Sequence, residues 1–493
     1  MNQTLSARFQ KSMEFFLKHD IIFFLKRYET VCFVSLAPFT SRSSGGRKAR
    51  NFRFPISISA IINKNKIYWS CMEKPLEETT KVTPWEVTTT TGIDYLKLIH
   101  QFACQPIDGA LVRRFEKVTK VKAHPWLRRG IFFSHKDLNV ALDAFERGEE
   151  IYLYTGRGPS SESLHLGHMV PFMFTKYLQD AFDAIVICQM TDDEKFYFKP
   201  TLSLDEANRL AKENTRDIIA CGFNPNKTWI FSNLETVGGS LYKNIVLIMN
   251  QTSGNMIRGI YGLDLNNSVG QISWPCFQAA PAFSTSFQNV FKGDNIHCLV
   301  PMAIDQYPYF RMAREIAEKL GFKKPSTIQS RFLPSLEEAH GKASSTGGKE
   351  VIFLSDSHEA ITKKIREKAF SGGGLTKQEH IEKGANLAVD VPYHYLLYFL
   401  DDDAELKHIA HEYRAGRMMT SEVKKKAIEV IWNVVREHQE ARKLVTDEIV
   451  RFFMDPTRTF DRSRQKREPI EHLQEEQHIG FHFDPYFLPK ENK

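Results

Sequence analysis

His165-Leu166-Gly167-His168 sets two imidazoles three residues apart, a spacing that shares one helical face. Paired imidazoles there can donate hydrogen bonds to phosphate oxygens and stabilise charge that grows on them. Gly167 between them lets a ligand approach the backbone closely. The run ahead of them fits that use. Ile151-Tyr152-Leu153-Tyr154-Thr155 is β-rich, Gly156-Arg157-Gly158-Pro159 breaks it, and Ser160-Ser161-Glu162 are expected to cap a helix. Apolar periodicity then begins at Leu164, Leu166, Met169, Val170 and Phe172. Strand, glycine turn and helix start in that order form the first half of a nucleotide-binding βαβ unit, whose helix N-terminus favours phosphate. A His pair at this spacing also suits zinc. No Cys or third His stands nearby, so no metal bound by the protein is expected.

Three further stretches fall where such a fold collects ligands. Gln189-Met190-Thr191-Asp192-Asp193-Glu194-Lys195 leaves the end of a second expected strand, Ala184 to Gln189. Ala303-Ile304-Asp305-Gln306 stands the same way after Asn295 to Val300. Ligands of open α/β sheets bind just outside such strand ends. Gln278 offers another amide inside apolar Trp274–Ala280, and apolar walls with a few amides and carboxylates suit an amphipathic amino acid. Gly341-Lys342-Ala343-Ser344-Ser345-Thr346-Gly347-Gly348-Lys349 has the composition of a mobile basic loop, able to neutralise a triphosphate through Lys342. By itself that loop is ordinary linker composition.

Together these runs resemble one family, the tryptophanyl-tRNA synthetases of the eukaryotic cytosolic and archaeal type, a branch of class I. The likeness spans about residues 82–460. It includes Tyr154 to Ser161, Gln189 to Lys195, Ala303 to Gln306 with Pro308-Tyr309-Phe310-Arg311, and Ala369-Phe370-Ser371-Gly372-Gly373. The resemblance implies ATP as substrate with Mg²⁺, L-tryptophan, tRNA(Trp) and a homodimer. It implies that Tyr154 and Gln189 bond the indole N–H, with Glu194, Gln278 and Gln306 completing the amino-acid pocket. His165 and His168 would hold ATP phosphates, assisted by Lys195, with Gly156, Arg157, Gly167 and Thr346 also lining the nucleotide. Lys342 and Ser344 correspond to the second class I signature loop. Four departures stand out: Ala343 replaces the signature's Met, Thr346 its last Ser, Tyr307 the usual Asp, and Trp274 the usual Phe. Rival readings are a tyrosyl-tRNA synthetase, a small-molecule adenylyltransferase, and a weakly active paralogue with a binding or signalling role.

The elements that must position these residues alternate strand and helix, which implies a parallel sheet with both faces covered. Helices are expected over residues 107–119, 137–147, 204–221 and 309–320, a strand over 228–231, and a strand or hairpin over 82–87. From Ser357 the β signal fades and residues 356–368, 392–400, 404–415 and 420–448 read as helices, with Gly372-Gly373-Gly374 a hinge or turn. The expected organisation is a basic N-terminal extension (1–80), a hairpin and helices packed on the catalytic domain (81–145), and a Rossmann catalytic domain (146–356). A helical anticodon-binding domain (357–460) and a polar tail (461–493) follow.

Apolar content of 42% with 12% aromatics fits a soluble globular enzyme. The formal charge of +7 comes from one end. Residues 1–71 carry 12 Lys and Arg against 3 Asp and Glu, which leaves 54 against 56 for the other 422. Net charge therefore argues for no nucleic-acid partner, and local patches must do so. The basic segment reads as a transit peptide or as sequence upstream of a start at Met72. A cytoplasmic location is expected, with a mitochondrial one as the alternative. Its apolar patches are cut by Lys18, Asp20, Lys26, Arg27 and Glu29, so no membrane span is expected. Seven scattered cysteines without C-x-x-C spacing read as reduced thiols.

Overall fold

The computed structural model describes residues 93–337 and 350–464, together with the backbone of five strands before them. The chain divides into two compact units, 1–79 and 80–493. In the first, β1 (Val31–Phe33) pairs antiparallel with β2 (Ile56–Asn63), and β2 with β3 (Lys66–Glu73) along all eight residues. Met72 lies inside β3, opposite Ser57.

The second unit opens with the expected hairpin, β4 (Lys81–Val82) against β5 (Val87–Thr88). Its centre is a seven-stranded sheet built from β6 (Gln105–Pro106), β7 (Phe132–Lys136), β8 (Ile151–Arg157), β9 (Ile185–Met190), β10 (Thr228–Ser232), β11 (His297–Ala303) and β12 (Ser326–Ser330). Strand order is β10-β9-β8-β11-β12-β7-β6. The five strands from β10 to β12 run parallel, β7 pairs antiparallel with β12, and β6 pairs antiparallel with β7. From β8 the chain steps to β9 and β10 on one side, then crosses to β11 on the other. The β8/β11 boundary is therefore the topological switch point, and the ligand crevice of such a sheet lies beyond its strand ends.

Period-2 alternation divides the sheet residues between two cores. Leu153, Val186, Cys188, Ile230 and Leu299 face the helices Leu166–Phe182 and Leu204–Ile219. Tyr152, Tyr154, Ile187, Phe231 and Val300 face the helices Gly239–Gln251, Val269–Ala279 and Tyr307–Ala317. Residues after Ser357 form the helices His358–Lys368, Lys377–Lys383, Val391–Phe399, Asp403–Arg414, Thr420–Lys443 and Asp447–Met454. Their apolar faces join the first core: Leu396, Tyr413, Ile431 and Phe453 belong to the same buried cluster as Leu153.

Several expectations need revision. The helix expected over 420–448 stops at Lys443, because the Thr446 side chain accepts from Ile449 N and starts a new helix. Gly372-Gly373-Gly374 is a packed turn rather than a hinge. A Cβ at those positions would lie 2.0 Å from Asn386 O, 2.4 Å from Thr420 Oγ1 and 2.6 Å from His380 N. Residues 461–464, the start of the polar tail, are pinned to the sheet domain. Arg462 pairs with Glu150 and Asp294 at 2.7 Å each, and the Arg464 guanidinium lies 3.9 Å from the Phe145 ring centroid. Among the described residues no helix is long and apolar enough to cross a membrane.

Candidate active site

Tyr154 ends the apolar run of β8, and the strand's alternation turns its ring toward the helices Val269–Ala279 and Tyr307–Ala317. It is fully buried, edge-on to Phe310 with ring centroids 5.7 Å apart. Its hydroxyl lies 2.5 Å from Gln189 Oε1, on the neighbouring strand, and 3.0 Å from the Gln278 carbonyl. Burial pushes its ionisation well above the ordinary tyrosine value, so the hydroxyl stays neutral. Gln189 Nε2 donates to Asn233 Oδ1 (2.9 Å) and to the Phe277 carbonyl (3.3 Å). Asn233 Nδ2 in turn donates to Asp193 Oδ1 (2.9 Å), which also accepts the Glu194 backbone N–H (2.8 Å). Desolvation raises the Asp193 carboxyl to about 7, against the pull of those two donors, and Asp192 and Glu194 add to the rise.

The helix Asp192–Phe198 begins directly after β9 and carries the acidic loop. Glu194 accepts from Thr191 Oγ1 (2.8 Å) and pairs with Lys195 Nζ (3.0 Å). This pair lies against the glycine turn. A Cβ on Gly158 would fall 2.1 Å from Lys195 Cε and 2.6 Å from Glu194 Oε2, so glycine is what admits both charges. Gly156 is opposite Gln189 in the β8–β9 register, where a Cβ would come within 2.9 Å of the Gln189 carbonyl. Arg157 Nε donates to Asn214 Oδ1 (3.3 Å), and burial lowers its guanidinium to about 10, offset by Glu194 and Asp217. Asn214 Nδ2 donates to the Ser161 carbonyl (2.8 Å) and Lys199 Nζ to the Ser160 carbonyl (3.0 Å), which fixes the turn.

The helix after that turn starts at Leu166, and its N-cap is His165 rather than Ser160 or Ser161. The serines are used otherwise: Ser161 Oγ donates to the Ser163 carbonyl within the turn. His165 and His168 stack with centroids 3.4 Å apart, at the helix N-terminus as the spacing required. Leu166 N donates to the Ile352 carbonyl (3.0 Å) and Leu354 N to the Leu164 carbonyl (2.8 Å). The segment leaving the Lys342 loop is thereby stitched to the histidine turn. Lys342, Ala343, Ser344 and Thr346 themselves lie outside the described residues.

Tyr154, Gln189, Glu194, Lys195, Gly156 and Arg157 thus surround the β8/β9 ends, with the Gln278 carbonyl among them. His165 and Gly167 lie at the adjoining helix start. Gln306 closes the turn after β11, half-buried, and no hydrogen bond ties it to Tyr154, Gln189 or Glu194 among the described residues. Sequence reasoning missed Asn233, Asn214 and Asp217. Their signal was polar residues at buried positions: Asn214 and Asp217 sit among Leu210, Ala211 and Ile218 on the inward face of their helix. Two departures have local partners. The Trp274 indole lies beside the Tyr309 hydroxyl, and the Tyr307 hydroxyl beside the Cys104 thiol.

Comparison with known proteins shows the family. The family model for class I tRNA synthetases (W and Y) matches residues 146–436. Cytoplasmic tryptophan–tRNA ligase of Arabidopsis thaliana is 50% identical over 376 residues, 76% of this chain and 93% of its own length. The human cytoplasmic tryptophan–tRNA ligase is 49% identical over 386 residues, 77% and 82% respectively. Among solved structures, the tryptophanyl-tRNA synthetase of Plasmodium falciparum superposes with a TM-score of 0.69 at 46% identity, covering 74% of this chain and 96% of that one. The enzyme of Encephalitozoon cuniculi bound to tryptophan gives 0.66 at 41%, covering 73% and 99%. With half of the aligned residues shared across nearly the full length of such a relative, this chain belongs to the class I tRNA synthetases of the tryptophan and tyrosine kind.

Proposed function

We propose that the chain is a tryptophan–tRNA ligase. The tryptophan carboxylate attacks the α-phosphorus of ATP, giving tryptophanyl-adenylate and releasing pyrophosphate. The 3′-terminal ribose of tRNA(Trp) then takes the tryptophanyl group and releases AMP. ATP, an amino acid and tRNA are the substrates that membership in this family implies. The observation that carries the choice of tryptophan is the Tyr154 hydroxyl, set between two carbonyl-type oxygens at the switch-point end of the sheet. Its hydrogen goes to one of them, so its lone pairs face a donor such as an indole N–H. No protein nucleophile is required, because the substrate carboxylate attacks and the protein supplies position and charge.

In this reading His165, His168 and Lys195 bind the triphosphate, and Lys342 with Ser344 and Thr346 offsets its charge as that charge moves to pyrophosphate. Glu194 meets the substrate ammonium, with Gln278 and Gln306 completing that end. Mg²⁺ would arrive on the phosphate oxygens, the hard ligands it prefers. Among the described residues no cluster of three His, Cys, Asp or Glu forms a protein cage for it. Helices within 357–460 read the anticodon. A homodimer is supported by the exposed face of the helix Gly239–Gln251, where Tyr242, Val246 and Leu247 share one side. The location is cytoplasmic, like that in the names of the two ligases above.

Amino-acid-dependent exchange of labelled pyrophosphate into ATP tests the assignment. Exchange with tryptophan and none with tyrosine is expected, since a site built around an N–H leaves polar groups unpaired with the wrong ligand. Equal exchange with tyrosine would replace this reading with the tyrosyl one.

A further inference from the structure

The hydrogen-bond chain behind Tyr154 has a direction, and both ends fix it. The Phe277 carbonyl can only accept, so the Gln189 atom 3.3 Å from it is the amide nitrogen. At the far end, Asp193 Oδ1 already takes the Glu194 backbone N–H, so the Asn233 atom beside it is also a nitrogen. Asn233 Oδ1 must then face Gln189 Nε2, and Gln189 Oε1 must face Tyr154. Both Gln189 N–H groups are used, one on Phe277 and one on Asn233. Remove Asn233 and the amide keeps only the longer bond. It can then turn and offer Nε2 to Tyr154, whose hydrogen goes to the Gln278 carbonyl and whose lone pair the amide takes in place of the substrate.

We propose that Asn233 is a specificity-determining positioning residue: by holding the Gln189 amide, it keeps the Tyr154 oxygen an acceptor toward the substrate. It touches no substrate itself. Asn233 is buried just after β10, where the helix Asn233–Thr236 begins, and both of its amide atoms are engaged. Ser232 and the Leu234 N–H on either side are anchored to Asp192, which leaves the Asn233 backbone little freedom to adjust. The proposal rests on the tryptophan reading above, since it explains how that site tells an N–H from its absence.

The test compares tryptophan with β-(3-benzothienyl)alanine, which carries sulfur where the indole has N–H, in pyrophosphate exchange on the full chain. The wild type is expected to favour tryptophan in kcat/KM by roughly 10²-fold, the consequence of leaving a buried acceptor unpaired. Asn233→Ala, and Asn233→Ser as a milder change should the first not fold, should shrink that preference to below about 10-fold. The loss should come through the KM for tryptophan, with kcat within about 3-fold. Asn233→Asp keeps an acceptor against Gln189 Nε2, its second oxygen sharing a proton with Asp193, and should restore the preference. A merely structural role would lower rates with both amino acids alike. That result, or an unchanged preference in the Ala and Ser variants, overturns the proposal while the ligase assignment stands. A wild type that uses both amino acids equally would instead overturn the N–H reading of Tyr154, and the role of Asn233 with it.

Discussion

Arg442 Nε donates to Asp217 Oδ1 over 2.7 Å, and the other oxygen of that carboxylate accepts the backbone N–H of Leu164 at 3.4 Å. One buried side chain thus ties the helix Thr420–Lys443 to the residue before His165. The same helix adds His438 Nε2 to the Asp217 carbonyl (3.1 Å) and Gln439 Nε2 to the carbonyls of Leu354 (2.8 Å) and Asp356 (2.9 Å). The last turns of one helix therefore hold both sides of the ladder around the histidine turn.

Arg442→Ala should for that reason lower the adenylation rate several-fold while leaving the KM for tryptophan unchanged, because the indole pocket lies on the other face of the sheet. Asp217 would stay buried without its cation. Arg442 is about one-third exposed, so the stability cost is discounted to about 1–3 kcal/mol. Exchange kinetics with tryptophan as the varied substrate, beside a thermal melt, check both parts. A raised KM with unchanged kcat would show that the contact serves the amino-acid side instead.

The two glycines of the turn should fail in different ways. Gly158→Ala pushes on the end of the flexible Lys195 side chain, which can move aside. Folding should survive, but Lys195 and Glu194 would leave their places and adenylation should fall about 10-fold or more. Gly156→Ala pushes on the Gln189 backbone inside the β8–β9 ladder, where no soft group can yield. It should cost about 1–3 kcal/mol of stability. Melting temperatures and exchange rates measured on both variants would reject this account if the effects were reversed.

Acid should weaken the fold through buried neutral imidazoles. Burial lowers His135 and His297 to about 4, and burial with the Arg128 and Arg129 cations lowers His124 to about 3. The first of these has a reason to stay neutral, since His135 Nδ1 accepts the Leu138 N–H at 3.1 Å. A depressed folded value means the unfolded chain binds the proton first. The stabilisation is complete above about 6.5 and is lost as pH falls toward 4. By that linkage His135 alone loses about 2 kcal/mol between pH 7.5 and 5. His135→Asn, whose Oδ1 can replace the Nδ1 acceptor, should flatten the pH dependence of unfolding by that amount. An unchanged slope would place the acid sensitivity elsewhere.

How much of this was legible followed from which signal each element carries. β8, β9 and β11 read as strands because they are buried on both faces and nearly all apolar. β12 escaped notice because Ser326-Thr327-Ile328-Gln329-Ser330 looks like a loop. Its polar groups are buried by satisfying one another: Gln329 Nε2 bonds Thr327 Oγ1 at 2.6 Å, and Ser134 Oγ bonds Gln329 Oε1 at 2.9 Å. Periodicity cannot register a strand paid for in hydrogen bonds. The same limit hid Asn233, which touches Gln189 only because β9 and β10 lie side by side. Tyr154 and Gln189 could be named from their motifs, but the direction of the bond between them could not.

Tyr307 offers the sharpest test of whether a departure is compensated. The family resemblance implies Asp at this place, yet here the ring is buried at the first turn of the helix Tyr307–Ala317, 5.5 Å from Phe102. Its hydroxyl lies beside Cys104, a thiol that burial raises to about 11 and therefore stays protonated. The pocket is shaped and wired for a phenol. Tyr307→Phe keeps the ring and loses only the hydroxyl's contact with Cys104, so it should cost about 1 kcal/mol or less. Tyr307→Asp would leave a cavity against Phe102 and put a carboxylate into it, with Arg314 as the nearest compensating cation. Cavity and desolvation together should cost about 3 kcal/mol or more, although Asp is the residue the family resemblance implies. Melting curves of the two variants decide the matter. If Tyr307→Asp proved as stable as the wild type, the site would have room for a carboxylate, and the packing of Phe102 and Cys104 around the ring would not be specific to a phenol.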